Sequence, residues 1–463
     1  MKIGFLPLYI QLYDDVGVTA RARLEPFYES IAADFEAHGI EVLRSPFCRV
    51  KAEFATAVSR FEEAGADCIV TWHAAYSPSL ESAEVLARTA LPIVVLDTTE
   101  TYEFSPEQAH TEIDYCHGIH GVMDMCNLLA RGGKTYAIAA GHYPTSDVLE
   151  QAIGYVKAAA AAKSLCGSKV GTVGTSFDGM GDFLVSDETM AERFGVTVVH
   201  ADGAELQALG ADVSEADIAA EMARDLETCT VVEPFSEDCH RRTVREGLAV
   251  RRWLQNNDLG AFTVNFLDVG PHNGLTTMPF MEACKAMSRG IGYAGEGDVL
   301  TAAMTGALMR GFGDVSFVEI FCPDWKGERV FLSHMGEVNY ALLTDKPELK
   351  ELNFIYGKGA ENPVIGYGCY REGPAVFVNV FVDRNGEYRL LAAPVTMEQP
   401  TDVDRFAGKA VRGWMKPAVP VAKFLKTISE AGVTHHSTLV YNATVDELAF
   451  FGNLLGMPVV CVE

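Results

Sequence analysis

Two parallel-sheet α/β domains followed by a β-rich, barrel-like domain are predicted by three observations. In the first third, short apolar runs alternate with amphipathic stretches, the spacing of strand and helix in turn. A second alternation of the same kind begins near Lys169, after an Ala-rich helical stretch from Leu149 to Ala162. Beyond residue 370, β-branched and aromatic runs joined by a turn signal take over. The boundaries that follow are 1–170, 171–313 and 314–463.

In the first domain the predicted strands are Lys2–Leu6, Glu41–Arg44, Asp67–Thr71, Pro92–Leu96 and Thr135–Ala139. Helices are predicted between them over Arg23–Ala37, Ala52–Ala64, Ser79–Thr89 and Ala109–Ala130. Nearly unbroken apolar strands indicate a sheet covered on both faces, a doubly wound arrangement of the Rossmann or flavodoxin-like kind. Ligands gather at the carboxyl ends of such strands, so the loops Trp72–Pro78 and Gly141–Pro144 are candidate binding loops. The second domain repeats the pattern with strands at Val196–His200, Cys229–Val232 and Phe262–Leu267 and a long helix at Cys239–Leu254. In the third, Pro374–Val382, Glu387–Ala392 and Thr438–Tyr441 read as strands, with Asn385-Gly386 as a hairpin turn. A β-sandwich or a barrel satisfies that pattern.

Composition narrows the function. Of 463 residues, 48% are hydrophobic and 22% charged, which is ordinary for a globular protein. A net charge of -26 excludes the basic stripe that nucleic acid requires, and favours a neutral ligand over an anionic one. No unbroken apolar stretch reaches the length of a membrane span, and the first residues lack the pattern of a secretory signal. Eleven cysteines without a C-x-x-C pair suit a reducing compartment, so a cytoplasmic location is expected. Gly132-Gly-Lys-Thr135 is no phosphate-binding loop, because position 128 is Leu and the segment runs from helix into strand.

The chemistry concentrates in the last third. Glu296 lies between glycines in Tyr293-Ala-Gly-Glu-Gly-Asp298, just before a helical pattern from Val299 to Arg310 that ends at Gly311, with Asp298 as its N-cap. Glu319 sits inside the apolar run Val315–Phe321, where a carboxylate needs an ion-pair partner or a metal. His334 lies in a second apolar run, a setting that equally suits a satisfied core histidine. His435 and His436 precede a strand, where extended backbone points their rings to opposite sides. Two oxygen and two nitrogen ligands without cysteine suit Mn²⁺, Co²⁺ or Mg²⁺ better than a structural zinc. Either histidine of the pair satisfies this set. Carboxylates also carry protons, so one cluster can hold a metal and move a proton.

Taken in order, Gly-Tyr-Ala-Gly-Glu-Gly-Asp298, Ser-Phe-Val-Glu319, Ser-His334-Met-Gly-Glu-Val338 and Ala-Gly-Val-Thr-His-His436-Ser resemble the L-arabinose and L-fucose isomerase family, most closely its arabinose isomerase side. The likeness extends upstream through His73-Ala-Ala-Tyr76-Ser-Pro, His120-Gly, Gly141-His142, Met180 and Ala261–Phe266. The resemblance implies an aldose-ketose isomerase acting on a small neutral sugar, a pentose or deoxyhexose such as L-arabinose or L-fucose. By the same resemblance, Glu296, Glu319, His334 and His436 hold Mn²⁺, and the two glutamates double as acid and base. It places substrate contacts on Tyr76, His117, His120, Met180 and Phe266, with His435 beside them. It also implies a homo-oligomer, a hexamer, in which the first domain of one subunit completes the site of its neighbour.

Departures fall around the metal ligands rather than among them. The family's Gly-Ser-Gln-His-Leu-Tyr-Gly stretch is here Leu8-Tyr-Ile-Gln-Leu-Tyr-Asp14, the tryptophan expected after Glu-Gly-Asp is Val299, and Glu319–Trp325 lacks two tyrosines. A glutamine of the family becomes His117. Reaction type is therefore more firmly implied than the sugar. An epimerase or lyase using the same enediol chemistry, and a sugar-binding or regulatory protein on the same fold, are the alternatives. The second has no use for two proton-carrying glutamates.

Overall fold

The computed structural model describes residues 1–17, 21–357, 359–401 and 403–462. The chain forms two compact units, Met1–Lys163 and Ser164–Glu463.

In the first unit, strands β1 (Lys2–Leu8), β2 (Glu41–Arg44), β3 (Cys68–His73), β4 (Ile93–Thr99) and β5 (Tyr136–His142) form one parallel sheet in the order β2-β1-β3-β4-β5. The doubly wound expectation is met. Chain direction across the sheet switches between β1 and β3, which opens a crevice at their carboxyl ends. Helices α1 (Gln11–Val16), α2 (Arg21–Ala37), α3 (Lys51–Glu63) and α4 (Ser79–Arg88) follow the successive strands. Leu6, Phe54, Phe61, Ile69, Val95, Met125 and Leu129 form the core on one face.

The single helix expected over Ala109–Ala130 is broken. It becomes a short 3₁₀ turn, then α5 (Ile113–Cys116) and α6 (Gly118–Arg131), with His117 non-helical between them at φ −95° and ψ 26°. Close backbone packing begins at Gly118, the first residue of the second piece. A Cβ there would lie 2.3 Å from the carbonyl oxygen of His73, so the start of α6 is pressed onto the end of β3. Helical periodicity runs through both pieces, so the sequence carried no sign of the break.

The second unit begins with a parallel sheet built from β6 (Lys169–Val173), β7 (Thr197–His200), β9 (Ala261–Val264) and β10 (Gly292–Gly295), in the order β10-β9-β6-β7. A small mixed sheet joins β8 (Thr230–Val231), β13 (Glu348–Glu351) and β14 (Val364–Tyr367). The strands β11 (Val315–Asp324), β12 (Arg329–Ser333), β15 (Gly373–Val382), β16 (Tyr388–Glu398), β17 (Gly413–Pro417) and β18 (His436–Tyr441) close on themselves through the β15–β16 pairing. β19 (Val459–Cys461) adds to the outer edge of β16. The β-rich region is therefore a six-stranded antiparallel barrel, which removes free edges. Asn385-Gly386 lies in the β15–β16 hairpin as expected, with Gly386 left-handed at φ 81°. No helix among the described residues is long and apolar enough to cross a membrane.

Candidate functional site

The cluster is assembled by register. Glu319 on β11 pairs with Ser333 of β12 on one side and with His436 of β18 on the other. His334 follows Ser333 directly, so two imidazoles flank one buried carboxylate. Glu296 comes to the same place from the end of β10, where the chain turns sharply. Its own φ is 66°, a left-handed value that a non-glycine residue adopts only under constraint. The constraint is visible. Its N–H donates to the Val264 carbonyl at 3.1 Å, and its carbonyl accepts from the Phe177 N–H at 2.8 Å. Beside it, Gly297 at φ 84° leaves no room for a Cβ, which would lie 2.5 Å from Ser176 Cα. Close backbone approach is thus the reason for that glycine.

The distances point to convergence rather than ordinary hydrogen bonding. His436 Nε2 lies 3.1 Å from Glu319 Oε1 and 3.5 Å from Glu296 Oε2, and His334 Nε2 lies 3.0 Å from the same Glu319 oxygen. Yet Glu296 Oε2, Glu319 Oε1 and His436 Nε2 are all buried without a hydrogen-bond partner. Ligands bound at about 2.1 Å around one cation stand roughly 3.0–3.5 Å apart, which is the separation found here. The donor set and the orphaned atoms fit a divalent cation. His435 Nε2 also faces Glu296 Oε2, at 3.8 Å, and Glu296, His435 and His436 bring ligand atoms that all lie within 4.8 Å of one another.

Each buried imidazole is anchored at its far nitrogen. His436 Nδ1 meets Asp298 Oδ2 at 2.9 Å, and both side chains are fully buried. The other oxygen of Asp298 accepts from Thr301 N–H at 2.9 Å, so Asp298 caps the helix Val299–Phe312 as expected. That helix runs past Gly311 and ends at Gly313. His334 Nδ1 bonds Glu337, which also accepts from Tyr293 Oη and the Gly336 N–H, both at 3.0 Å. Such carboxylate–histidine pairs fix the ring orientation and leave Nε2 free for a metal.

Burial and pairing pull the proton equilibria apart. Burial raises the Glu296 carboxyl, but His435 and His436 outweigh it and hold the group down at about 2. Glu319 is likewise held well below the usual carboxylate range by His334 and His436 against the effect of burial. Burial lowers His334, while Glu337 and Glu319 lift it to about 10. His436 is raised well above its ordinary value by Asp298, Glu296 and Glu319 despite burial. Ring protons thus supply the positive charge that two carboxylates require, and a divalent cation can take their place.

The alternation expected for His435 and His436 is broken. Their rings lie side by side, with centroids 4.3 Å apart. His435 precedes β18, and Asp182 Oδ2 takes both its N–H at 2.9 Å and its Nδ1 at 2.7 Å. Phe183 stacks flat on His436 at 4.6 Å. Asp182 and Phe183 were not legible as site residues, since the loop 174–186 has no periodicity and its neighbours are remote in sequence. Met180 lies in that loop, its N–H directed to the Phe177 carbonyl at 3.4 Å. Phe266 follows β9, with its ring 5.7 Å from Phe177, the residue bonded to Glu296.

The remaining expected residues lie in the first unit. Tyr76 and His120 pack ring to ring at 4.6 Å, and Tyr76 Oη reaches Asp124 at 3.4 Å. His117 Nε2 meets Tyr13 Oη at 3.0 Å. All four sit at the carboxyl ends of β1 and β3, in the crevice the strand order creates. Tyr13 was missed as a partner because nothing local marks it.

Comparison with known proteins identifies the family. Residues 180–311 match the L-arabinose isomerase central domain, and residues 314–458 match the L-arabinose isomerase C-terminal domain. Together these matches cover more than half of the chain. An L-arabinose isomerase of Shewanella sp. (strain ANA-3) is 25% identical, over 92% of this chain and 86% of that protein. One from Herpetosiphon aurantiacus is 27% identical, over 86% of this chain and 81% of its own length. One from Leuconostoc mesenteroides is 31% identical over 48% of this chain and 46% of its own.

Proposed function

From the premise that this chain belongs to the L-arabinose isomerase family and is a sugar isomerase, we propose that it interconverts a neutral aldopentose or deoxyhexose, such as L-arabinose or L-fucose, with its ketose through an enediol. The observation that carries this reading is the convergence of Glu296 Oε2, Glu319 Oε1 and His436 Nε2, buried without hydrogen-bond partners, with His334 Nε2 3.0 Å from the same Glu319 oxygen. Glu296, Glu319, His334 and His436 hold the cation, Mn²⁺ by preference, with Co²⁺ or Mg²⁺ as substitutes. Bound there, the cation supplies charge stabilisation for adjacent sugar oxygens as negative charge develops.

The protein's own groups do the rest. One glutamate takes the proton from C2 of the aldose and returns it to C1, while the other moves the proton between the two oxygens. Both are held as carboxylates, ready to accept. His436 is preferred over His435 as ligand, because it is fully buried and anchored on Asp298. His435 is more than a third exposed, is held at Nδ1 by Asp182, and of the four proposed ligands has only Glu296 within ion-pair distance, which suits a sugar hydroxyl. Met180, Phe266, Tyr76, His117 and His120 complete the substrate contacts.

An oligomer with shared sites, a hexamer by family likeness, accounts for the placement of the last three in the first unit. Leu12, Val16, Ile113, Ile119 and Met123 around them are about half exposed or more, an apolar face that a second copy covers. The domain division 1–170, 171–313 and 314–463 and a cytoplasmic location complete the reading.

The test is incubation of Mn²⁺-loaded protein with an aldose panel in D₂O, followed by NMR. Ketose carrying deuterium at C1 is the expected result. Ketose formed without exchange would replace the enediol route by hydride transfer. Absence of turnover on the panel, with sugar binding intact, refutes the catalytic reading.

A further inference from the structure

A cavity of about 500 Å³ opens in the first unit, beyond the carboxyl end of β2 and along the first turns of α3. Its size is that of a metabolite site. Three guanidinium groups line it, from Arg21, Arg49 and Arg60, with Glu53 the one carboxylate in its wall. Glu53 is already taken by Arg49, through Oε1 at 2.5 Å and Oε2 at 3.2 Å. Arg21 Nε is buried without an acceptor, while its guanidinium packs over the rings of Tyr9 and Phe47 at 5.6 and 5.5 Å. No carboxylate among the described residues lies within ion-pair distance of Arg60, whose Nη2 bonds only the Arg44 carbonyl. Pro46, Phe47 and Ala57 give the cavity an apolar side.

In a chain of net charge -26, three arginines line one void, and the buried Nε of Arg21 has no acceptor within the described residues, a setting that suits an acceptor from outside. We propose that this cavity binds a small organic anion, a compact neutral body bearing a phosphate or carboxylate group. Planar guanidinium forks match either group by paired N–H···O bonds, and the apolar wall receives the body. The site is independent of the isomerase reading.

Its wiring gives the anion a consequence. Asp14 on α1 receives Arg49 Nη1 at 2.8 Å and faces Arg21 Nη1 at 3.6 Å. An incoming anion competes with Asp14 for both. The residue before Asp14 is Tyr13, which holds His117.

The test is calorimetric titration of the full chain with inorganic phosphate, ribose 5-phosphate and succinate, with ribose as the neutral control. Binding of one anion per chain is expected, and the preferred probe distinguishes a phosphate from a carboxylate ligand. Arg60→Gln and Arg21→Gln weaken it by about tenfold each, the loss of a charge-assisted pair. Asp14→Asn tightens it by removing the competitor. Arg60 is exposed, so its variant keeps the fold, which circular dichroism verifies. No binding of any anion up to about 10 mM, a dissociation constant too weak for a built site, overturns the proposal. So does binding that neither arginine variant alters.

Discussion

His73 and His436 are both sealed from solvent, at 4% and 0% exposure, yet their surroundings push their proton equilibria in opposite directions. His73, at the end of β3, has no partner on either ring nitrogen. Burial drives it down to about 3, and Asp124 offsets this only in part. It is a neutral ring beneath the start of α6. Burial acts on His436 in the same direction, but Asp298, Glu296 and Glu319 reverse the outcome. Partners, more than burial, decide what a buried histidine does. The first unit uses an imidazole as filler, and the second holds two whose far nitrogens are anchored on carboxylates.

The largest test of that contrast lies at the carboxylates. Glu296→Gln or Glu319→Gln should lower kcat by about 10²–10⁴-fold, the worth of a positioned proton carrier, with the circular dichroism spectrum retained. Near-normal turnover in both variants would remove the proton role. Next come the anchors. Asp298→Asn and Glu337→Gln should each weaken Mn²⁺ binding by about 10–100-fold in calorimetric titration, as lost supports of metal-binding histidines do. Unchanged affinity would show that the rings need no orienting partner.

His73 provides the opposite test. Its folded-state value is depressed below the ordinary 6.5, so its contribution to stability is complete above pH 6.5 and is lost as pH falls toward about 3. By pH 4.5 the loss amounts to roughly 2–3 kcal/mol. His73→Leu should flatten this part of the urea-midpoint profile, and a profile as steep as the parent's contradicts the neutral filler. The smallest effect is expected at His435. His435→Asn should raise KM by about tenfold, the worth of one hydrogen bond to substrate, and leave Mn²⁺ affinity near the parent value. A collapse of metal affinity there would exchange the roles of the two histidines.

Much of this was legible beforehand, for identifiable reasons. Strand and helix periodicity carried the sheet of the first unit, since its strands are apolar on both faces. Glu296 and Glu319 stand out because carboxylates in glycine-bound or apolar settings need explanation, whereas only the family resemblance singles out His334 and separates His436 from His435. Barrel closure did not show, because the β15–β16 hairpin that closes it looks like any other. Neither did the break at His117, beside which Gly118 packs against a carbonyl of β3 that is remote in sequence. Asp182 and Tyr13 act only through tertiary contact, and each looks like an ordinary polar surface residue when read locally.

The claim that four side chains, from just beyond β10 and β12 and from β11 and β18, share one cation is tested most directly by anomalous scattering at the manganese edge from Mn²⁺-loaded crystals. A single strong peak within about 2.0–2.3 Å of Glu296, Glu319, His334 and His436 is the expected result. A peak held by Glu296, His435 and His436 without Glu319 and His334, or no peak at the cluster, contradicts it.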